Sequence, residues 1–208
     1  QAFTSRLTDL DCDGWPDLVV AGDYGTSRLF WNNGDGTFFE GTEQAKIGDE
    51  ENGMGLAVGD YDGDGLPDLF FTSIYDARNP QVPNSGWGVT GNRLYRNLGN
   101  RVFEDATDVG GVRDGGWGWG AVFFDYDNDG DLDLISSGQN YNMGYSFDIL
   151  KNDGIGNFVL ESQYFTEDYN TSEGHMLVLD IDNDAAIDVQ NKMGMAVFSS
   201  ANVPSGKW

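Results

Sequence analysis

The sequence predicts an all-β fold built from four blade-like repeats of a β-propeller. A nine-residue pattern, Asp-x-Asp-x-Asp-Gly-x-x-Asp, recurs along the chain, and its copies start about 50–65 residues apart, which suits one four-stranded blade per repeat. Thirty of the 208 residues are glycine, about twice ordinary usage, as expected for many short strands joined by tight turns. No segment has a sustained 3.6-residue hydrophobic period with caps, so no helix is predicted.

The copies of the pattern share aspartate at positions 1, 3, 5 and 9. These aspartates are Asp9, Asp11, Asp13 and Asp17 in the first copy, Asp60, Asp62, Asp64 and Asp68 in the second, Asp125, Asp127, Asp129 and Asp133 in the third, and Asp180, Asp182, Asp184 and Asp188 in the fourth. Position 6 is glycine in the first three copies and Ala185 in the fourth. We therefore divide the chain, as a single propeller domain or fragment, into repeats at approximately 1–48, 49–112, 113–170 and 171–208.

Each repeat is expected to contain four strands, A to D. Strand A is a small, apolar, Gly-rich segment before the acidic loop, at 54–59, 118–124 and 176–179. Strand B is the apolar run after the loop, at 18–21, 69–72 and 134–136. Strands C and D form a hairpin, at 28–31 with 37–40, 93–97 with 101–104, and 148–152 with 157–160. Asn-Gly and Asp-Gly in the first hairpin provide the positive φ angles that tight turns need.

The two ends of the chain bear on the size of the propeller. Strand A of the first repeat begins within a few residues of Gln1, and the fourth repeat runs out before a strand D is visible. We expect that neither end completes a blade and that further blades of the same protein are missing, because an unclosed ring leaves strand edges exposed. The alternative is a complete four-bladed ring with an irregular last blade.

The acidic loops have the composition of calcium sites. Oxygen ligands at alternate positions of a loop that bends at glycine suit a hard cation with six to eight ligands. The carboxylates of positions 1, 3, 5 and 9 would bind Ca²⁺, together with the backbone carbonyl of position 7, which belongs to Trp15, Leu66, Asp131 and Ala186. Three sites are predicted. The fourth stays open, because Ala185 must adopt a backbone geometry that glycine enters more easily.

Two alternatives to calcium loops fit the pattern less well. A single acidic stretch is often a solvated turn, but copies in the same strand context disfavour that interpretation. An EF-hand is excluded because position 12 lacks glutamate, being Val20, Phe71, Ser136 and Asn191 in the four copies. The loops hold nearly half of the acidic residues, so folding and calcium binding are expected to be linked.

Charge and cysteine content exclude several classes of partner. The chain has 11 Lys and Arg against 35 Asp and Glu, a net charge of −24, so nucleic acid and anionic membranes are disfavoured. No apolar run is long enough for membrane insertion. Cys12 is the one cysteine, so no intrachain disulfide braces the fold, and metal is the candidate brace.

The loops and three further segments resemble FG-GAP/VCBS repeats. These segments are Asn-Arg-Leu-Tyr-Arg-Asn at 92–97, Phe-Glu-Asp-Ala-Thr at 103–107 and Gly-Trp-Gly-Trp-Gly at 116–120. Such repeats build integrin-α-like propellers and propellers of bacterial extracellular proteins, including those of the ASPIC/UnbV type. The resemblance covers nearly the whole chain. It implies a propeller of about seven blades, calcium in the A–B loops, and an extracellular, cell-surface or periplasmic location. The chain departs from the family in its four repeats, its altered fourth loop and the lack of a visible ASPIC/UnbV module.

A ligand is expected on the rim opposite the calcium loops, where the B–C and D–A connections emerge. These connections are long and contain aromatic residues beside Asn, Gln and Arg, which suits a glycan or an extracellular protein. The candidate ligand-binding residues are Tyr75, Trp87, Arg113, Trp117, Tyr141 and Tyr145. A structural alternative applies to Trp117 and Trp119, which alternation puts on one side of strand A, where they would fill the space between blades.

Catalytic residues are not predicted. His175 is the only histidine and has apolar neighbours, and Cys12 has no histidine nearby in the sequence. The leading hypothesis is a non-catalytic calcium-binding module for recognition or adhesion. The alternatives are the propeller portion of a carbohydrate-active enzyme, such as a polysaccharide lyase or glycosidase, and a purely structural spacer.

Overall fold

A computed structural model of the chain describes residues 2–76, 88–140, 144–166, 176–179, 188–191 and 198–199. Strands dominate these residues, and the two helices among them are single turns. The fold is therefore all-β, as predicted.

Each of the first three repeats forms one four-stranded sheet. The first sheet contains β1 (Ala2–Thr8), β2 (Asp17–Gly22), β3 (Arg28–Asn32) and β4 (Phe38–Glu40); the second contains β5 (Leu56–Gly59), β6 (Asp68–Phe71), β7 (Arg93–Asn97) and β8 (Phe103–Asp105); the third contains β9 (Trp117–Phe124), β10 (Asp133–Asn140), β11 (Gly144–Asn152) and β12 (Phe158–Thr166). Strands pair antiparallel in chain order. This confirms the predicted A-to-D meander.

The described residues of the fourth repeat form a three-stranded sheet. It contains β13 (Met176–Leu179), β14 (Asp188–Asn191) and β15 (Phe198–Ser199). Asp188 pairs with Leu179 at the start of β14. Asp17, Asp68 and Asp133 hold the same place at the starts of β2, β6 and β10, so the fourth repeat has the register that its aspartate spacing predicts.

The expectation that neither end completes a blade is wrong for the first repeat. Its sheet has all four strands, and β4 pairs with β3 from Asn32↔Phe38 to Phe30↔Glu40. One contiguous segment provides every strand, because the turn between β3 and β4 is short enough to close a local hairpin.

The first strands of successive sheets lie side by side: β1 beside β5, β5 beside β9, and β9 beside β13. Consecutive propeller blades have this arrangement. Close approach depends on glycine, since a Cβ on Gly55 would lie 2.3 Å from the backbone oxygen of Trp119 in β9. This close approach agrees with the Gly-rich character predicted for strand A at 54–59.

Hydrophobic cores fill the spaces between sheets. The first core joins the first two sheets and includes Val19, Leu29, Trp31, Leu69, Phe71 and Tyr95. The second joins the second and third sheets and includes Phe70, Leu94, Phe123, Leu134, Leu150 and Phe158. Leu69 and Phe71 face the first sheet, whereas Phe70 faces the third, because side chains alternate along a strand. The second sheet is therefore buried on both faces.

The two helices, α1 (Thr42–Ala45) and α2 (Thr107–Gly110), were not expected. Each follows the fourth strand of a sheet. The hydroxyls of Thr42 and Thr107 accept hydrogen bonds from the backbone N–H groups of Leu29 and Leu94, both at 2.9 Å. Tertiary contacts hold these turns, which are too short to produce a helical period in the sequence. Neither described helix has the length and apolar character of a membrane span.

Candidate metal centres

Three acidic loops join the first two strands of the first three sheets, at the same end of each sheet. We name them loop 1 (residues 9–17), loop 2 (60–68) and loop 3 (125–133). In each loop three carboxylates bring oxygen atoms within 4.8 Å of one another; the groups are Asp9, Asp11 and Asp13; Asp60, Asp62 and Asp68; and Asp125, Asp127 and Asp133. These aspartates all belong to the predicted positions 1, 3, 5 and 9, so each loop gathers three of its four candidate ligands.

The aspartate at position 1 shapes each loop. In loop 1, Asp9 accepts hydrogen bonds from the backbone N–H groups of Asp13, at 3.0 Å, and Gly14, at 2.9 Å. Asp60 and Asp125 accept the corresponding bonds in loops 2 and 3. The position 6 glycines have φ angles of +90° to +97°, which side chains disfavour. This explains the glycine that the motif requires there. Ala185 lies outside the described residues.

The aspartate at position 9 is part of the framework as well as a candidate ligand. Asp17, Asp68 and Asp133 are fully buried. In loop 2, Asp68 accepts hydrogen bonds from the backbone N–H of Tyr61, at 3.1 Å, and from the backbone N–H of Asn97, at 2.7 Å. Asp17 and Asp133 accept the equivalent pairs of bonds. In each buried carboxylate one oxygen binds the loop and the other binds the third strand, so the carboxylate joins the loop to that strand.

Burial and neighbouring charge raise the pKa of the position 9 carboxyls. Burial, with a smaller contribution from the nearby carboxylates of Asp62 and Asp64, raises the pKa of Asp68 to about 7, although the hydrogen bonds from Asn97 and Tyr61 oppose the shift. Burial likewise raises the pKa of Asp17 and of Asp133. A cation among these oxygens would favour the ionised form of each carboxyl.

A basic side chain lies against positions 3 and 5 of every loop. Arg101 Nε lies 2.5 Å from Asp11 Oδ2, Arg96 Nε lies 2.5 Å from Asp62 Oδ2, and Lys151 Nζ contacts Asp127. The same three cations reach Asp13, Asp64 and Asp129 at position 5. A positive side chain thus contacts the equivalent carboxylates in loops 1, 2 and 3. With a donor set made only of oxygen, this fits a hard divalent cation such as Ca²⁺.

Sequence reasoning missed the asparagines that end the third strand of each sheet, Asn32, Asn97 and Asn152. Their backbone N–H groups bind the position 9 aspartates, and their side chains reach loop carbonyls. A signal existed: asparagine stands at the same place before the hairpin turn in all three repeats. Its role depends on contacts between strands, which the repeat pattern alone does not reveal.

Three of the predicted ligand-binding residues, Tyr75, Arg113 and Trp117, lie near one another at the end of the sheets opposite the loops. The backbone N–H of Tyr75 donates to the carbonyl of Gly116, next to Trp117, at 2.7 Å. A Cβ on Gly91 would lie 2.7 Å from Cγ of Arg113 and 3.1 Å from Cδ2 of Tyr75. The structure therefore brings Tyr75 and Arg113 together beside Gly91.

Trp117 and Trp119 lie on the same side of β9, as alternation predicts. Their rings stack with centroids 6.4 Å apart and an interplanar angle of 7°. Phe3 of β1 meets Trp119 edge to face at 6.1 Å. The three aromatic rings therefore pack together between β1 of the first sheet and β9 of the third.

The remaining predicted residues are only partly described. Tyr145 lies in β11, where it pairs with Gln139 and Thr166. Trp87 and Tyr141 lie outside the described residues, as do three aspartates of the fourth loop, Asp180, Asp182 and Asp184.

Comparison with known proteins agrees with the loop geometry. The family model described as FG-GAP-like repeat matches residues 9–71 and 83–136, more than half of the chain, and these segments contain loops 1, 2 and 3. No curated protein matches the chain significantly. The chain belongs to the FG-GAP-like repeat family, as its acidic loops and strand pattern predicted.

Proposed function

We propose that the protein is a calcium-binding β-propeller module that recognises a glycan or protein ligand outside the cell and has no catalytic role. The observation that carries the proposal is the threefold recurrence of one carboxylate cluster at the same end of three successive sheets. Recurrence in equivalent positions favours a shared ligand over three unrelated acidic turns. Further blades of the same protein would complete the ring, to a total of about seven.

Calcium would brace the loops. When bound, it would supply the positive charge that offsets the clustered carboxylates, and the residues that hold it would be the aspartates of positions 1, 3, 5 and 9. Cys12 is unpaired and exposed, so no disulfide within the described residues takes over this role. An extracellular location would suit this role, since extracellular modules bind Ca²⁺ with dissociation constants of about 0.1–1 mM.

The opposite rim is the proposed recognition surface. Tyr75 and Arg113 both lie beside Gly91 there, close to Trp117. An aromatic ring and an arginine on the same rim offer stacking and hydrogen bonding to a sugar or to a loop of a protein. Loops on a rigid sheet framework are suited to such binding. The distance between this rim and the metal loops would let calcium stabilise the module without touching its ligand.

Thermal unfolding tests the metal proposal. The protein is unfolded in excess chelator and at increasing Ca²⁺, with Mg²⁺ as control, and bound ions are counted by calorimetry. We expect Ca²⁺ to raise the Tm, Mg²⁺ to reproduce little of the rise, and Asp60→Asn to remove one ion. A Tm that does not respond to Ca²⁺ would contradict the proposal.

Recognition is tested by binding to glycan arrays and to extracellular proteins. We expect Tyr75→Ala combined with Arg113→Ala to abolish binding. Ile155→Ala, at an exposed site in the β11–β12 turn near the metal loops, is the matched control and should bind normally. Release of oligosaccharides from a bound polysaccharide would instead favour a carbohydrate-active enzyme. Failure to bind any ligand would favour a structural spacer.

A further inference from the structure

Asparagine side chains connect the metal loops of neighbouring sheets. Asn97 ends β7 of the second sheet and is 1% exposed. Its Nδ2 donates to the carbonyl of Pro67 in loop 2, at 3.0 Å, and to the carbonyl of Leu10 in loop 1, at 2.8 Å. One buried amide therefore contacts two loops that belong to different sheets.

The same bridge recurs between the next two sheets. Asn152 Nδ2 donates to the carbonyl of Leu132 in loop 3, at 2.9 Å, and to the carbonyl of Tyr61 in loop 2, at 2.7 Å. Asn32, the equivalent residue of the first sheet, donates to Pro16 of its own loop. Because the contact recurs at the same position of two repeats, it is a structural feature of the repeat and not a chance contact.

The bridges form one continuous hydrogen-bonded path. Leu10 donates its N–H to Asp17 in loop 1 and accepts the Asn97 side chain on its carbonyl. Asn97 in turn donates its own backbone N–H to Asp68 in loop 2. Tyr61 repeats the role of Leu10, because its N–H binds Asp68 and its carbonyl accepts Asn152.

The path ends in loop 3. The backbone N–H of Asn152 donates to Asp133 at 2.8 Å. The position 9 carboxylates of loops 1, 2 and 3 are thus linked through alternating peptide groups and asparagine side chains. Every residue of the path is buried.

This path provides a physical route by which ordering of one loop would constrain the next. The residue at position 2 lies between the candidate ligands at positions 1 and 3, so a cation that orders those ligands also fixes the peptide between them. A fixed Leu10 carbonyl holds Asn97, and Asn97 holds Asp68. Partners in the outer shell of a metal site typically change its affinity 10–100-fold when removed. Such coupling is reciprocal, since each site changes the affinity of the other by the same factor.

We infer that Asn97 and Asn152 are positioning residues that couple the metal loops across sheet boundaries, so that loops 1, 2 and 3 bind their cations cooperatively. This rests on the proposed function, because it requires that the loops bind metal.

Loop 1 provides its own spectroscopic reporter. Trp15 stands at position 7 and is 52% exposed. Tb³⁺ takes oxygen ligands as Ca²⁺ does, and its luminescence is sensitised by a tryptophan close to the ion. Excitation through tryptophan therefore reports loop 1, and loss of the signal in Trp15→Phe establishes that assignment.

The experiment measures the Tb³⁺ affinity of loop 1 in Asn97→Ala and in Asn152→Ala. Both variants remove an equivalent buried asparagine, but Asn97 contacts loop 1 and Asn152 does not. We expect Asn97→Ala to weaken the loop 1 affinity about tenfold, and Asn152→Ala, which breaks only the bridge between loops 2 and 3, to weaken it much less. Circular dichroism verifies that each variant is folded, and Asn97→Ser, which keeps an acceptor for the Gly99 N–H, replaces Asn97→Ala if that variant does not fold.

Each outcome decides the inference. An unchanged loop 1 affinity in Asn97→Ala overturns it. Equal weakening in both variants also overturns it, because that result indicates general destabilisation rather than a bridge. A wild-type protein that binds neither Tb³⁺ nor Ca²⁺ overturns the proposed function itself, and the inference with it. That failure is recognised before any variant is compared.

Discussion

Arg101 Nε donates a hydrogen bond to Asp11 Oδ2 at 2.5 Å, although the two residues belong to different sheets. Arg101 lies in the turn between β7 and β8, with a φ of +65°. Its guanidinium also stacks over Trp31 and Phe39 of the first sheet, at 5.1 and 5.4 Å. The basic side chain at loop 1, Arg101, therefore comes from the neighbouring sheet and packs against aromatic rings of the first sheet. Loops 2 and 3 instead contact basic residues of their own sheets.

Arg101→Gln is expected to raise the calcium affinity of loop 1 by up to about fivefold, the equivalent of about 1 kcal/mol. The guanidinium lies on two candidate ligands, Asp11 and Asp13, so a metal ion must displace it or bind beside its positive charge. Calorimetric titration with Ca²⁺ measures the change. Arg113→Gln, which removes an ion pair with Asp108 far from the loops, should leave the affinity unchanged. Weaker binding in Arg101→Gln would show that the arginine supports the metal-bound form.

Asp68→Ala is expected to destabilise the protein even without calcium. The substitution leaves the buried N–H groups of Tyr61 and Asn97 without their acceptor, and each such loss costs about 1–3 kcal/mol. The free energy of unfolding in chelator should fall by at least about 2 kcal/mol. Asp64→Ala, at the more exposed position 5, is the control and should act mainly when calcium is present. Equal losses in the two variants would contradict a framework role for Asp68.

Glu50 makes the stability depend on pH. The side chain is 1% exposed, and within the described part of the chain its Oε1 has no hydrogen-bond partner. Burial raises the pKa of Glu50, while the Ser27 and Tyr95 hydroxyls and the charge of Arg93 oppose the shift. Because the pKa in the folded state exceeds that in the unfolded state, the stability from this group is present at low pH and is lost as the pH rises through the folded pKa.

Glu50→Gln should therefore unfold with a weaker pH dependence and be about 1 kcal/mol more stable than the wild type above the folded pKa of Glu50. Urea unfolding in excess Ca²⁺ between about pH 5 and about pH 8 measures this, with the loops kept in their metal-bound form. Glu43→Gln, an exposed residue of α1, is the control and should follow the wild type. A parallel pH profile for Glu50→Gln would refute the assignment.

Gly55→Ala is expected to disturb the contact between the second and third sheets. The new Cβ would lie 2.3 Å from the backbone oxygen of Trp119 and 2.8 Å from the hydroxyl of Thr72, so backbone must move. Overpacking of this kind costs about 1–3 kcal/mol. Gly59→Ala is the control: its nearest neighbour is the flexible end of Leu132, at 3.0 Å, and its cost should be smaller. Denaturant unfolding compares the two variants, and a larger loss in Gly59→Ala would be inconsistent with the packing.

Much of the fold and the candidate metal loops could be predicted from the sequence because they depend on local patterns. The position 6 glycine, the alternating aspartates and the apolar strand that follows act within nine or ten residues. The turn residues of the hairpins also follow directly in the sequence after Asn32 and Asn97, which end the first strand of each hairpin. The one-turn helices were missed because a single turn has no period and is held by threonine contacts with another strand.

The sequence by itself determined the repeat, the order of strands and the identity of the acidic loops. Only the tertiary structure decided which residues of one repeat meet those of the next. Arg101 reaches a loop 90 residues earlier in the chain, and Asn97 reaches a carbonyl 87 residues away. A repeat pattern specifies each sheet separately, whereas contacts between sheets depend on how two apolar faces pack and on the register that results. That packing also buries Glu50, whose neighbours in the sequence give no sign of it.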